Sequence, residues 1–134
     1  MANEAVIIEL LGNGGDPVRF TVGDNSAIPK GTLLELLDDR TVSGSIITTG
    51  DPFAGVAAAE KVAGDGSTTL ALYRHGIFDL LCANGSITAG AMVCLSGANA
   101  VREAVEADFP TGAIIGQALE TGSNADTIAV LINK

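Results

Sequence analysis

Ala27-Ile28-Pro29-Lys30-Gly31-Thr32-Leu33-Leu34-Glu35-Leu36 lines up, about 60 residues further on, with Ser86-Ile87-Thr88-Ala89-Gly90-Ala91-Met92-Val93-Cys94-Leu95. Each stretch is a turn carrying an apolar Ile, then a glycine, then a short apolar run. The glycine lets the chain turn sharply with positive φ, and the run that follows is of strand length. Downstream of each copy come two more matching pieces. Phe53-Ala54-Gly55-Val56-Ala57-Ala58 echoes Ile115-Gly116-Gln117-Ala118-Leu119, and Thr69-Leu70-Ala71-Leu72-Tyr73 echoes Thr127-Ile128-Ala129-Val130-Leu131. Two copies are too few for a solenoid. They are expected to build one barrel from two similar halves, each supplying strands that the other lacks. In the Gly-x-Ala pairs, Gly55-Val56-Ala57 and Gly116-Gln117-Ala118, small residues are expected where two strands cross closely.

The rest of the chain has the same punctuation. Apolar runs of strand length span residues 5–11, 18–22, 32–37, 44–48, 53–59, 69–74, 76–82, 91–95, 113–119 and 127–132. Between them lie Gly, Asn, Asp and Ser clusters, and turns recurring about every ten residues mark a small barrel or sandwich. Residues 54–63 and 101–107 are the two places where a short helix competes with a strand or an acidic loop. The fold class expected is all-β, with an extended N-terminal arm and glycine hinge over residues 1–15 and a single β-domain over residues 16–134.

Composition narrows the function. The 134 residues are 47% hydrophobic and 17% charged, with no Trp, one Tyr and four Phe. A core of Val, Ile, Leu and Ala suits a closely layered barrel better than a ligand pocket, which is usually lined by aromatics. Mean hydropathy is +0.39, high enough that part of the apolar surface is expected against another chain. The net charge of −9 makes nucleic acid and anionic membrane poor partners. Met1-Ala2-Asn3-Glu4 lacks the basic stretch of a secretory leader, and no apolar run reaches the length of a membrane span. A protein made in a cytosol and kept there until it joins something larger is expected. Cys82 and Cys94 have neither redox nor zinc spacing and read as small buried hydrophobes.

Chemistry finds little to stand on. His75, the single histidine, falls in Tyr73-Arg74-His75-Gly76, which reads as a tight turn between two strands. One histidine cannot assemble an ordinary zinc site or a catalytic triad. Asp38-Asp39 and the trio Glu103, Glu106 and Asp108 read as solvated turn and loop charges, since sequence neighbours on a strand face opposite ways. Gly12-Asn13-Gly14-Gly15-Asp16 lacks the Gly-Lys-Ser/Thr ending of a phosphate loop and reads as a flexible joint. No enzyme activity, cofactor or metal is expected. The arm itself, Ala5, Val6, Ile7, Ile8, Glu9, Leu10 and Leu11, is an apolar strand with two equal readings. It adds to a sheet edge on a neighbour through backbone hydrogen bonds, or it closes its own barrel.

Two further motifs carry a resemblance. Gly76-Ile77-Phe78-Asp79-Leu80 stands in mid-chain, and Ile115-Gly116-Gln117-Ala118-Leu119-Glu120 near the end. With the two turn-Gly-strand units, this order resembles the small capsid decoration, or cement, proteins of tailed phages and prophages. The likeness runs from about Ile28 to the C-terminus. The chain departs from the family's pattern in the extra residues it carries through Gly15. The resemblance implies a β-barrel-like homotrimer at the virion surface, partnered by the major capsid protein. It would clamp the outside of an expanded capsid, with the N-terminal arm pairing with capsid protein. The rival readings are another small virion barrel, at a head-tail joint or on a fibre, and a surface binding module. The absence of Trp disfavours the module.

Overall fold

A chain that repeats itself at about 60 residues can bury two apolar faces in one of two ways: the copies share strands, or each closes on itself. The computed structural model describes residues 3–10, 17–44 and 50–134. Among these residues the chain forms eleven strands: β1 (Val6–Leu10), β2 (Val18–Thr21), β3 (Leu33–Asp38), β4 (Thr41–Ser43), β5 (Phe53–Ala57), β6 (Thr69–Tyr73), β7 (His75–Cys82), β8 (Met92–Leu95), β9 (Ala100–Glu103), β10 (Ile114–Ala118) and β11 (Thr127–Asn133). A 3₁₀ helix, Glu106–Thr111, lies between β9 and β10. The all-β class and the two similar halves are as the sequence implies.

Each half closes by itself. The first barrel runs β2-β6-β5-β3-β4 and returns from β4 to β2 by a parallel contact, Thr21 opposite Thr41. The second runs β7-β11-β10-β8-β9 and returns to β7 in the same way, Leu81 opposite Ala100 and Cys82 opposite Val101. The strands that make this closure, β4 and β9, are the two that the sequence pattern misses. They are three and four residues long, with Thr, Ser, Arg and Glu among them, and nothing in so short a run announces a strand. Residues 45–49, most of one expected strand, lie outside the described residues. The helix or acidic loop expected over 101–107 is instead the end of β9 followed by the start of the 3₁₀ turn.

The repeat holds residue by residue. Leu33, Leu34 and Glu35 pair with Val56, Gly55 and Phe53. Met92, Val93 and Cys94 pair with Gln117, Gly116 and Ile114, with a bulge at the same place. The isolated bridge Ile28–Lys61 recurs as Ile87–Gly122. Gly31 N–H donates to Ala57 O and Gly90 N–H to Ala118 O, both at 2.8 Å. Gly31 and Gly90 have φ of 89° and 92°, the backbone that glycine alone enters freely. The expected close crossings are also present. A Cβ on Gly55 would stand 2.7 Å from Tyr73 O, and one on Gly116 would overlap the equivalent Leu131 carbonyl.

The halves meet through an apolar junction. β5 is buried along its whole length because its two faces serve two cores. Ala54 and Ala57 fill the first barrel with Leu34, Val42, Phe20 and Leu72. Phe53 and Val56 turn outward with Leu33 and join the second core, alongside Phe78, Leu95 and Ile132. Polar contacts accompany this packing. Leu33 N–H donates to Asn99 Oδ1 at 2.9 Å, Gly50 N–H to Leu95 O and Phe53 N–H to Gly112 O, both at 3.1 Å. Tyr73 and Phe78 bracket the crossing point, their ring centroids 6.3 Å apart. The stretch read as a tight turn at Tyr73–Gly76 is therefore a barrel-to-barrel crossing. β6 pairs with β2 and β5, whereas β7 pairs with β1, β9 and β11.

Candidate assembly surface

The arm is placed on its own chain. Ala5 N–H donates to Gly31 O at 2.6 Å, and β1 then pairs antiparallel with β7: Val6 opposite Asp79, Ile7 opposite Phe78, Glu9 opposite Ile77 and Leu10 opposite Gly76. A bulge at Ile8 breaks the alternation. Ala5 is buried and Ile7 packs on the second core, while Val6 and Ile8 are 58% and 53% exposed. Leu11 lies outside the described residues. Of the two readings of the arm, closure onto its own fold is what this pairing shows. Among the described residues no strand covers the outer edge of β1, so its backbone groups remain open to further pairing.

A shallow cleft of about 200 Å³ follows the arm, lined by Asn3, Glu4, Val6, Asp79, Leu81 and Thr127. Its volume is below the range of small-molecule pockets.

The charged residues singled out from sequence are occupied with structure. Asp108 is the hub of the 3₁₀ turn. Its carboxylate accepts from Arg102 Nη1 and Nη2 at 2.9 and 3.0 Å and from the Val105 N–H at 2.8 Å. These bonds hold its pKa down at about 2. Glu103 accepts from the Thr88 N–H at 3.2 Å, and Glu106 is exposed. Asp38 and Asp39 are exposed at a turn, the Asp38 carboxylate accepting from the Asp39 N–H. His75 is exposed at the start of β7, opposite Asn133. Cys82 and Cys94 are free thiols and buried. Burial pushes the Cys94 thiol up to about 11, with Asp108 adding to the shift and Arg102 opposing it. The thiolate that nucleophilic chemistry needs is therefore not populated at neutral pH. Among the described residues no group of three His, Cys, Asp or Glu is placed to hold a metal.

Two polar features escaped the sequence reading. Lys61 is buried, and its ammonium donates to Asp24 O, Val62 O and Asp65 Oδ1 at 2.7, 2.8 and 2.7 Å, tying two loops of the first barrel together. Glu35, in the strand position that Cys94 occupies in the second half, is also buried. Burial first, then a hydrogen bond and the charge of Asp51, push its pKa up to about 7. A Glu in an otherwise apolar run, Leu33-Leu34-Glu35-Leu36-Leu37, was the available sign.

Two arginines show the opposite pattern. Arg40 and Arg74 both stand within 6 Å of the Phe20 ring, at 5.7 and 5.6 Å from its centroid, near enough for cation–π attraction. Their Nε groups donate to Arg19 O and Ala54 O. Among the described residues no carboxylate reaches ion-pair distance of either, although the chain carries a net charge of −9.

A scan of protein-family models finds no match for this chain, and a search of curated proteins finds none either.

Proposed function

We propose that this chain is a structural virion protein that binds the outer surface of an expanded phage capsid and stabilises it as a homotrimer. The observation that carries the reading is the edge of β1. An apolar strand whose outer edge no described strand covers, with exposed Val6 and Ile8, offers backbone donors and acceptors to a strand of capsid protein. The resemblance to decoration proteins supports it. Its two motifs supply β7 and β10, the strands on either side of β11. Each arm contributes modest affinity, and a trimer multiplies it by holding three arms to one lattice.

The test is cosedimentation of the purified protein with expanded, undecorated heads. Saturable binding in a fixed ratio to capsid subunits is expected. No binding to such heads overturns the proposal.

A further inference from the structure

The two barrels are equivalent strand for strand, yet only one face of each takes part in the junction between them. The first barrel presents Leu33, Phe53 and Val56, and the second receives them beside Phe78, Leu95 and Ile132. By the pairings above, the second barrel's counterpart of the presenting face is Met92, Ile114 and Gln117. Met92 and Ile114 are half-buried, and Gln117 is exposed. Likewise the first barrel's counterpart of the receiving face is Val18, Leu36 and Arg74. Val18 and Leu36 are 38% and 40% exposed. Among the described residues each chain therefore carries one pair of faces used in the junction and one counterpart pair, at equivalent strand positions, that is not.

We propose that copies of this chain associate head to tail through the unused pair. The Met92–Ile114–Gln117 face of one copy seats on the Val18–Leu36–Arg74 face of the next, repeating between chains the junction that exists within each. The contact is heterologous, the kind that closes into a ring when the rotation permits. With three copies, six barrels would alternate around that ring.

Charge agrees with this occupant. Arg74 belongs to the receiving face and Arg40 shares the Phe20 ring with it, and among the described residues no carboxylate reaches ion-pair distance of either. Ala104 N–H donates to Met92 O, so the segment carrying Glu103 and Glu106 runs beside the presenting face. Lys134, whose Nζ donates to Ile114 O, stands at the other end of that face, so a second copy brings its carboxylates along the Met92 side toward arginines that lack them among the described residues. The inference takes up the self-association part of the proposed function and is tested without capsids.

Sedimentation of the full chain measures it. Leu36→Asp and Gln117→Arg each place a charge in the contact and are expected to weaken association roughly thirtyfold or more. Their combination, with opposite charges on the two faces, is expected to recover part of it. Leu37→Asp is the control. Leu37 is 63% exposed, belongs to neither face, and its substitution leaves association unchanged. Circular dichroism checks that every variant folds. A wild-type chain that stays monomeric, or single variants that assemble like wild type, overturns the inference. If those variants assemble normally but no longer bind heads, this face meets the capsid instead, and the inference fails while the proposed function stands. If wild type assembles and the variants do not, yet none binds heads, the inference stands and the proposed function fails.

Discussion

Glu35 shows how much one buried side chain can impose. Its folded pKa of about 7 lies above the ordinary 4.5. Between those values the folded state holds a proton that the unfolded chain releases, so stability falls as pH rises through this window. The contribution is fully present below 4.5 and lost above 7, about 3 kcal/mol in all at about 1.4 kcal/mol per pKa unit. Asp108 acts with the opposite sign. Its folded pKa of about 2 is below the ordinary 3.8, so its contribution is present above that value and lost as pH falls toward 2. Stability is expected to peak near pH 4–5, roughly between the two windows. Urea midpoints at pH 5 and pH 8 check this, and Glu35→Gln should flatten the difference between them. Equal wild-type midpoints at the two pH values would show that burial does not raise the Glu35 pKa. Glu35 was visible in the sequence as a charge in an apolar run. Its partner, sixteen residues further along the chain, was not.

At the scale of elements, the repeated Gly-x-Ala strands and the arm make separable demands. Gly116→Ala drives a methyl group into the Leu131 carbonyl, and overpacking of this kind costs about 1–3 kcal/mol. Gly64→Ala is the comparison. Gly64 has φ of 74° and open space around it, so only the left-handed backbone penalty of about 1 kcal/mol applies. Thermal unfolding should place Gly116→Ala well below Gly64→Ala, and the reverse order would mean that β10 and β11 are not so closely apposed. Removing residues through Leu11 strips Ala5 and Ile7 from the second core and bares the edge of β7. The remaining chain is expected to fold, about 2–4 kcal/mol less stable by the loss of that burial, and no longer to bind heads. Undiminished head binding by the truncated protein would remove β1 from the contact. Most strands were legible because their apolar runs and bounding glycines are local signals. β4 and β9 were not, because pairing on both edges, once in parallel, stabilises them from residues far off in sequence.

For the whole molecule the question is whether two closed barrels behave as one. Leu33, Phe53 and Val56 of the first barrel belong to the same buried cluster as the interior of the second. Asn99 holds the Leu33 N–H across the junction. The second core is not complete without these first-barrel side chains, so heat unfolding is expected to show one transition, with calorimetric and van't Hoff enthalpies in agreement. Two resolved transitions would mean that the barrels are thermodynamically separate.

By itself, the sequence determined the all-β class, the duplication, the turn glycines and the close crossings at Gly55 and Gly116, since each depends on spacing or on the size of a single residue. It also marked Ala5–Leu11 as an apolar strand. Only the tertiary structure decided that each half closes its own barrel, that β1 lies on β7, and that one face of each barrel is spent on the junction within the chain. Those outcomes depend on which surfaces meet. The run Phe53–Ala57 reads as apolar whether it faces one core or two, and only its neighbours in space show that it serves both.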